Sequence, residues 1–199
     1  MQSRTWLTVF VMCLAAGNLY AQASRPVGNT NDAVPLDAQQ EKRALQSLVR
    51  LAQRAVASSV EAMPADKFGF APTDGEFKGV RTFGQQVKHL AAANHILAAA
   101  ALGEEPPAGA GDEMGPDTVR TKAEILEYLN SSFAHLSKAV DAIGQTNVPV
   151  NASPISPLKK GEVTRSALVT EALFHIADHY GQMVEYLRMN GVVPPASRP

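Results

Sequence analysis

The stretch that decides the fold is Thr82–Glu104, "TFGQQVKHLAAANHILAAAALGE". Thr82 and Gln85 form the capping box that opens a helix. The spacing predicts a helix over 83–102, with Phe83, Val87, Leu90, Asn94, Leu97 and Ala101 on one face. Gly103 supplies the left-handed stop. The run from Leu90 to Leu102 is apolar nearly all round. A helix apolar on every side must be enclosed by other helices, so the rest of the chain has to supply the walls.

Three further segments are suited to that. One spans about 37–62, with Asp37 as N-cap and Glu41 in the first turn. Leu45, Leu48, Leu51, Ala52, Ala55, Val56 and Ser59 form its expected apolar stripe, and Met63-Pro64 ends it. Another spans about 122–143, capped by Thr121 with Glu124, with Ile125, Leu129, Ser132, Phe133, Leu136 and Val140 as its stripe. The last spans about 164–190; Gly191 can take the left-handed C-terminal position and Pro194-Pro195 cannot continue the helix. No strand pattern and no solenoid period appears. The expected fold class is all-α, a four-helix bundle over residues 37–195 with a short tail at 196–199. The connections are long, so the simplest up-down-up-down order is not implied. Phe68, Phe70 and Phe77 in the first connection are expected to fold back onto the end of the bundle.

Upstream, "MQSRTWLTVFVMCLAAGNLYAQA" carries Arg4, an apolar run from Trp6 to Ala16, and Ala21-Gln22-Ala23. That order describes a secretory signal peptide over residues 1–23, with a polar leader over 24–36. The run is too short to cross a bilayer as a helix, so no stable membrane anchor is expected after cleavage. Cys13 is the sole cysteine and lies within the run; Phe10-Val11-Met12 before it lacks the small residue of a lipid-anchoring site. The mature chain, expected to be periplasmic or secreted, would have no disulfide and no thiol nucleophile. The full sequence of 199 residues argues for one domain, two at most, and its net charge of −1 leaves no basic footprint for nucleic acid.

The chemistry rests with five histidines, at 89, 95, 135, 175 and 179. His175 and His179, in "HIADHYGQMVEYLRMNGVVPP", stand one turn apart on a mostly apolar face with Leu168, Glu171, Ala172, Gln182, Met183 and Tyr186. Two imidazoles at that spacing can converge on one cation; the same spacing also occurs in packed or surface pairs. A further ligand would have to come from a facing helix, and His89 leads. His95 and His135 are expected to be structural or exposed. The zinc-peptidase pattern H-E-x-x-H fails, because Ile176 follows His175. Tyr186 is expected to cap the core, and Arg188 to answer the helix dipole.

These pieces together resemble the DinB-like family, related to the YfiT-like metal-dependent hydrolases. The resemblance rests on "MPADKFGFAPT", on the second helix with His-Leu in its middle, on "HIADHYGQ", and on the "YLRMNGVVPP" ending. It implies a four-helix bundle, often a homodimer. It implies a divalent metal, zinc or nickel foremost with iron or manganese as further candidates, held by His89, His175 and His179. Glu171, Asp178 and Gln182 are candidates to orient those rings. Some relatives are thiol-dependent transferases; export of this chain argues against a low-molecular-weight thiol as cosubstrate. The function expected is a metal-dependent hydrolase or transferase acting on a small molecule, or else a metal-binding or purely structural helical-bundle module without catalysis.

Overall fold

A computed structural model describes residues 37–73, 78–159 and 161–199. The expected signal peptide, the leader and Phe77 lie outside the described residues. Among the described residues there are four long helices and no strand: α1 (Ala38–Ala62), α2 (Phe83–Leu102), α3 (Lys122–Asp141) and α4 (Arg165–Met189). They form an all-α four-helix bundle. No described helix is long and apolar enough to cross a membrane.

Local signals set the helix starts. The Asp37 carboxylate accepts the Gln40 backbone N–H at 2.7 Å. Thr82 with Gln85, and Thr121 with Glu124, each close a reciprocal capping box, so two donors left unsatisfied by helix geometry find acceptors at each start. Thr164 accepts from the Ala167 N–H at 3.1 Å. At the far end of α1, Lys122 of α3 donates to the Glu61 and Met63 carbonyls, both at 2.7 Å. One cation thereby closes the C-terminus of α1 and ties it to the start of α3.

α2 packs against α3 and α4, and α1 packs against the same two helices, while α1 and α2 barely meet. They stand across a diagonal of the bundle. The connections over 63–82 and 142–164 therefore link helices that are not close neighbours, which is why neither is a short turn. α2 is buried along nearly its whole length, as its all-round apolar run requires. Its alanines leave room for Phe133 and Leu136 of α3 and for Leu168 and Met183 of α4, all fully buried. Phe68 and Phe70 fold back as expected: Phe68 meets Phe83 edge-on at 5.3 Å, and Phe70 meets Tyr186 at 5.7 Å.

The α1 stripe differs from the sequence expectation. Leu45, Val49, Val56, Ser59 and Val60 are the buried set, whereas Leu48 and Leu51 are 48% and 56% exposed. Apolar residues cover more than one face of α1, so periodicity alone does not fix its rotation. Leu45, Val56 and Ser59 are buried as expected, while packing turned Val49 and Val60 inward. Leu48 and Leu51 instead line an open apolar groove with Leu173, Ile176 and Tyr180 of α4, about 410 Å³ in volume.

Gly103 ends α2 at φ +69, and Glu104 N–H closes back on the Ala99 carbonyl at 2.9 Å. A Cβ at Gly103 would lie 2.6 Å from the Pro149 ring and 2.8 Å from its carbonyl oxygen. Gly103→Ala combines left-handed strain with a backbone clash, so it is expected to destabilise the fold by about 1–3 kcal/mol. Thermal unfolding followed by circular dichroism checks this; an unchanged melting temperature would refute the assignment of Gly103 as an obligatory stop.

Candidate metal centre

His89 of α2 and His175 and His179 of α4 meet where the two helices pack. His175 Nε2 lies 3.2 Å from His89 Nε2 and 2.9 Å from His179 Nε2. The rings stand edge to face, with centroids 4.3–5.1 Å apart. One donor atom from each residue lies within 4.8 Å of the others. Bonds of about 2.0–2.1 Å to one cation place neighbouring ligand nitrogens about 2.9–3.4 Å apart, and the two measured separations fall in that interval. The three-histidine cluster is therefore able to hold a divalent metal ion, of an identity the geometry does not select. No other carboxylate, histidine or cysteine joins the group among the described residues.

The outer ring nitrogens show how the rings are aimed. His89 Nδ1 donates to the Glu113 carbonyl at 2.9 Å, with the Glu113 carboxylate 3.7 Å from the same nitrogen. A proton fixed on Nδ1 leaves the Nε2 lone pair bare and directed inward. Glu113 adopts φ +62, the one positive φ outside glycine among the described residues. Backbone held in that sparsely populated region aims a carbonyl that a relaxed turn would place elsewhere. His179 Nδ1 meets the Gln86 side-chain amide at 2.5 Å. Gln86 also bonds Gln182 at 2.6 Å, and Gln182 donates to Asp178 at 2.9 Å. Binding a cation through His179 Nε2 requires Nδ1 to keep its proton, and hence Gln86 to turn its amide oxygen toward the ring. His175 Nδ1 is buried with no partner.

Electrostatics keep these imidazoles neutral. Burial, reinforced by the neighbouring His179, His89 and Arg81, pushes His175 down to about 3. Burial and the charges of His89 and Arg81 take His179 down to about 4, against an upward pull from Asp178 and Gln182. His89 is lowered by burial, against an upward pull from the Glu113 carbonyl. At neutral pH all three carry free lone pairs, which is the state a metal ligand needs.

Of the residues proposed to orient the rings, Asp178 and Gln182 reach His179 through Gln86. Glu171 does not; its carboxylate accepts from the Ser156 hydroxyl at 2.6 Å. The helix face predicted Glu171 as a neighbour, but the 142–164 connection captures it. Glu113 and Arg81 were not legible, because both lie in irregular connections with no period. Gln86 stands one turn before His89 on α2 and is buried beside the cluster. Tyr186 is buried and donates to the Arg81 carbonyl at 3.0 Å, so it anchors that segment rather than meeting the histidines. His95 and His135 pair with one another away from the three-histidine cluster.

Three convergent imidazoles between two helices of a bundle define a class: a helical-bundle protein with a histidine cluster able to hold a divalent metal. The DinB superfamily profile matches residues 27–183, well over half of the chain. The chain belongs to the DinB superfamily. Comparison with curated proteins finds no match.

The lowered pKa values also fix a pH dependence for the metal-free protein. Unfolded histidines take up protons near 6.5, whereas the folded ones wait until about 3–4. Between those limits the unfolded state binds more protons, so stability falls as pH drops from about 6.5 toward 4. The melting temperature of chelator-treated protein should fall across that window, and more shallowly in His175→Gln. Equal slopes in the two proteins would contradict the assignment.

Proposed function

We propose that this chain is an exported metal-dependent hydrolase that acts on a small molecule through the His89–His175–His179 centre. The observation that carries the reading is the convergence of three imidazole nitrogens with no fourth protein donor among the described residues. Three protein ligands leave coordination positions free, the pattern of catalytic rather than structural sites. A divalent ion bound there, zinc or nickel foremost, supplies Lewis acidity that lowers the proton affinity of a water and polarises a substrate carbonyl or related group.

The chain's own residues do the rest. Glu113 and Gln86 hold the outer nitrogens of His89 and His179 and so fix the direction of the inner ones. His175 is only half-buried, and its edge of the cluster is where substrate would approach. The Arg81 charge acts on all three histidines. In a partly desolvated site it favours an anionic group on the substrate or developing negative charge on its oxygen. Export rests on Arg4, the Trp6–Ala16 run and Ala21-Gln22-Ala23, and it disfavours a cytosolic thiol as cosubstrate.

Purified protein should retain about one equivalent of divalent metal in this centre and hydrolyse members of an ester and amide panel. Chelation should abolish turnover and zinc or nickel should restore it. His175→Ala should lower kcat/KM by about 100-fold or more, since the ligand set is then incomplete. No turnover on any panel member, with metal bound, would favour a module that holds metal without catalysis. If the triple His→Ala variant bound metal as well as wild type, the centre itself would be refuted.

We further propose that the protein is a homodimer, as the family resemblance implies. Its support is the almost wholly apolar α1–α4 groove, where Leu48 and Leu51 are about half exposed. Leu51→Glu places a charge on that face and is expected to convert a dimer to a monomer in light-scattering chromatography. A dimer unaffected by the change would exclude this face.

A further inference from the structure

α2 carries a second histidine, six residues beyond His89, on another side of the helix. His95 Nδ1 lies 3.0 Å from His135 Nδ1 of α3. Their outer nitrogens are both engaged: His95 Nε2 meets the Ser131 hydroxyl at 3.2 Å, and His135 Nε2 lies 3.5 Å from the Glu104 carboxylate. His95 is 6% exposed and its ring lies against Tyr128, with centroids 5.2 Å apart. The pair borders a cleft of about 440 Å³, whose mouth also carries Glu105 and Lys138.

This is the same construction as the three-histidine centre. The inner nitrogens face one another at a separation that cis ligands of one cation would have. The Ser131 hydroxyl donates to the Tyr128 carbonyl and so accepts from His95 Nε2, which leaves the Nδ1 lone pair inward, and the Glu104 carboxylate 3.5 Å from His135 Nε2 favours a proton there. The Glu104 backbone is itself pinned, because its N–H closes the end of α2 on the Ala99 carbonyl. A helix C-terminus also favours a cation nearby.

We propose that His95 and His135 form a second site for a divalent transition-metal cation of the zinc class, with Glu104 as the positioning residue of His135. The two imidazoles contribute Nδ1. The remaining positions open to the cleft, where water is available. Two nitrogen donors and an open face make this a weaker and more exchangeable site than the three-histidine centre. Both rings are neutral at pH 7, since burial takes His95 down to about 4 and also lowers His135.

Zinc titration of the purified full chain by equilibrium dialysis with elemental analysis tests this. Wild type should bind two equivalents at pH 7.5. His135→Ala, at the cleft rim, and His95→Gln should each bind one and keep the other at wild-type affinity. His175→Ala should weaken the tighter equivalent and spare the second, so failure of either site is distinguishable from failure of the other. Glu104→Gln should weaken the second equivalent about 10–100-fold. In nitrogen-15 spectra the Nδ1 signals of His95 and His135 should shift together as the second equivalent loads. Bound zinc that neither His135→Ala nor His95→Gln reduces, whether one equivalent or two, would overturn the proposal and leave an ordinary hydrogen-bonded histidine pair. If His95→Gln does not fold, His135→Ala decides alone.

Discussion

Three imidazole Nε2 atoms converge at separations of 2.9 and 3.2 Å; in the tautomers that bind a metal, with the outer Nδ1 atoms protonated, their lone pairs repel unless a positive charge sits among them. A proton is a poor choice at neutral pH. Burial and mutual repulsion have already driven His175 to about 3 and His179 to about 4. A divalent cation satisfies all three donors at once. Much of the bundle can be understood from that requirement. α2 and α4 must pack closely enough for His89 to face His175 and His179. The long connection after α2 must return to place the Glu113 carbonyl behind His89.

The burial of α2 makes this compatible with stability. An alanine-rich helix presents little side-chain volume, so α3 and α4 approach it closely and their large residues fill the space. Polar groups set in such a helix must be paired. His89 meets Glu113 and His175, His95 meets His135 and Ser131, Gln86 meets His179 and Gln182, and Asn94 donates to Ser132 at 3.2 Å. The histidines of α2 thus face two different neighbours from two different sides.

Much of this was legible because it is local. Capping residues at 37, 82 and 121 and stop signals at 103 and 191 act within a turn of themselves, so the helices start and end close to where the sequence places them. The α3 stripe was legible because only one face of that helix is apolar. α1 was not, because its apolar residues wrap too far round, and only packing chose Val49 over Leu48. The His175–His179 pair was visible as a spacing, His89 led as the ligand from a facing helix, and the family resemblance joined the three. What sequence could not show depends on contacts across the bundle. Glu113 lies 24 residues from the ring it holds, in a connection with no period. His95 and His135 are 40 residues apart and read singly as structural or exposed.

The central claim is that three histidines, and no other protein group, hold the cation. X-ray absorption at the zinc edge tests it most directly, using zinc-loaded His135→Ala protein so that the three-histidine centre alone is occupied. The account predicts three imidazoles at about 2.0–2.1 Å, completed by oxygen from water. Fewer than three imidazoles, or a coordination shell completed by a protein carboxylate, would contradict it.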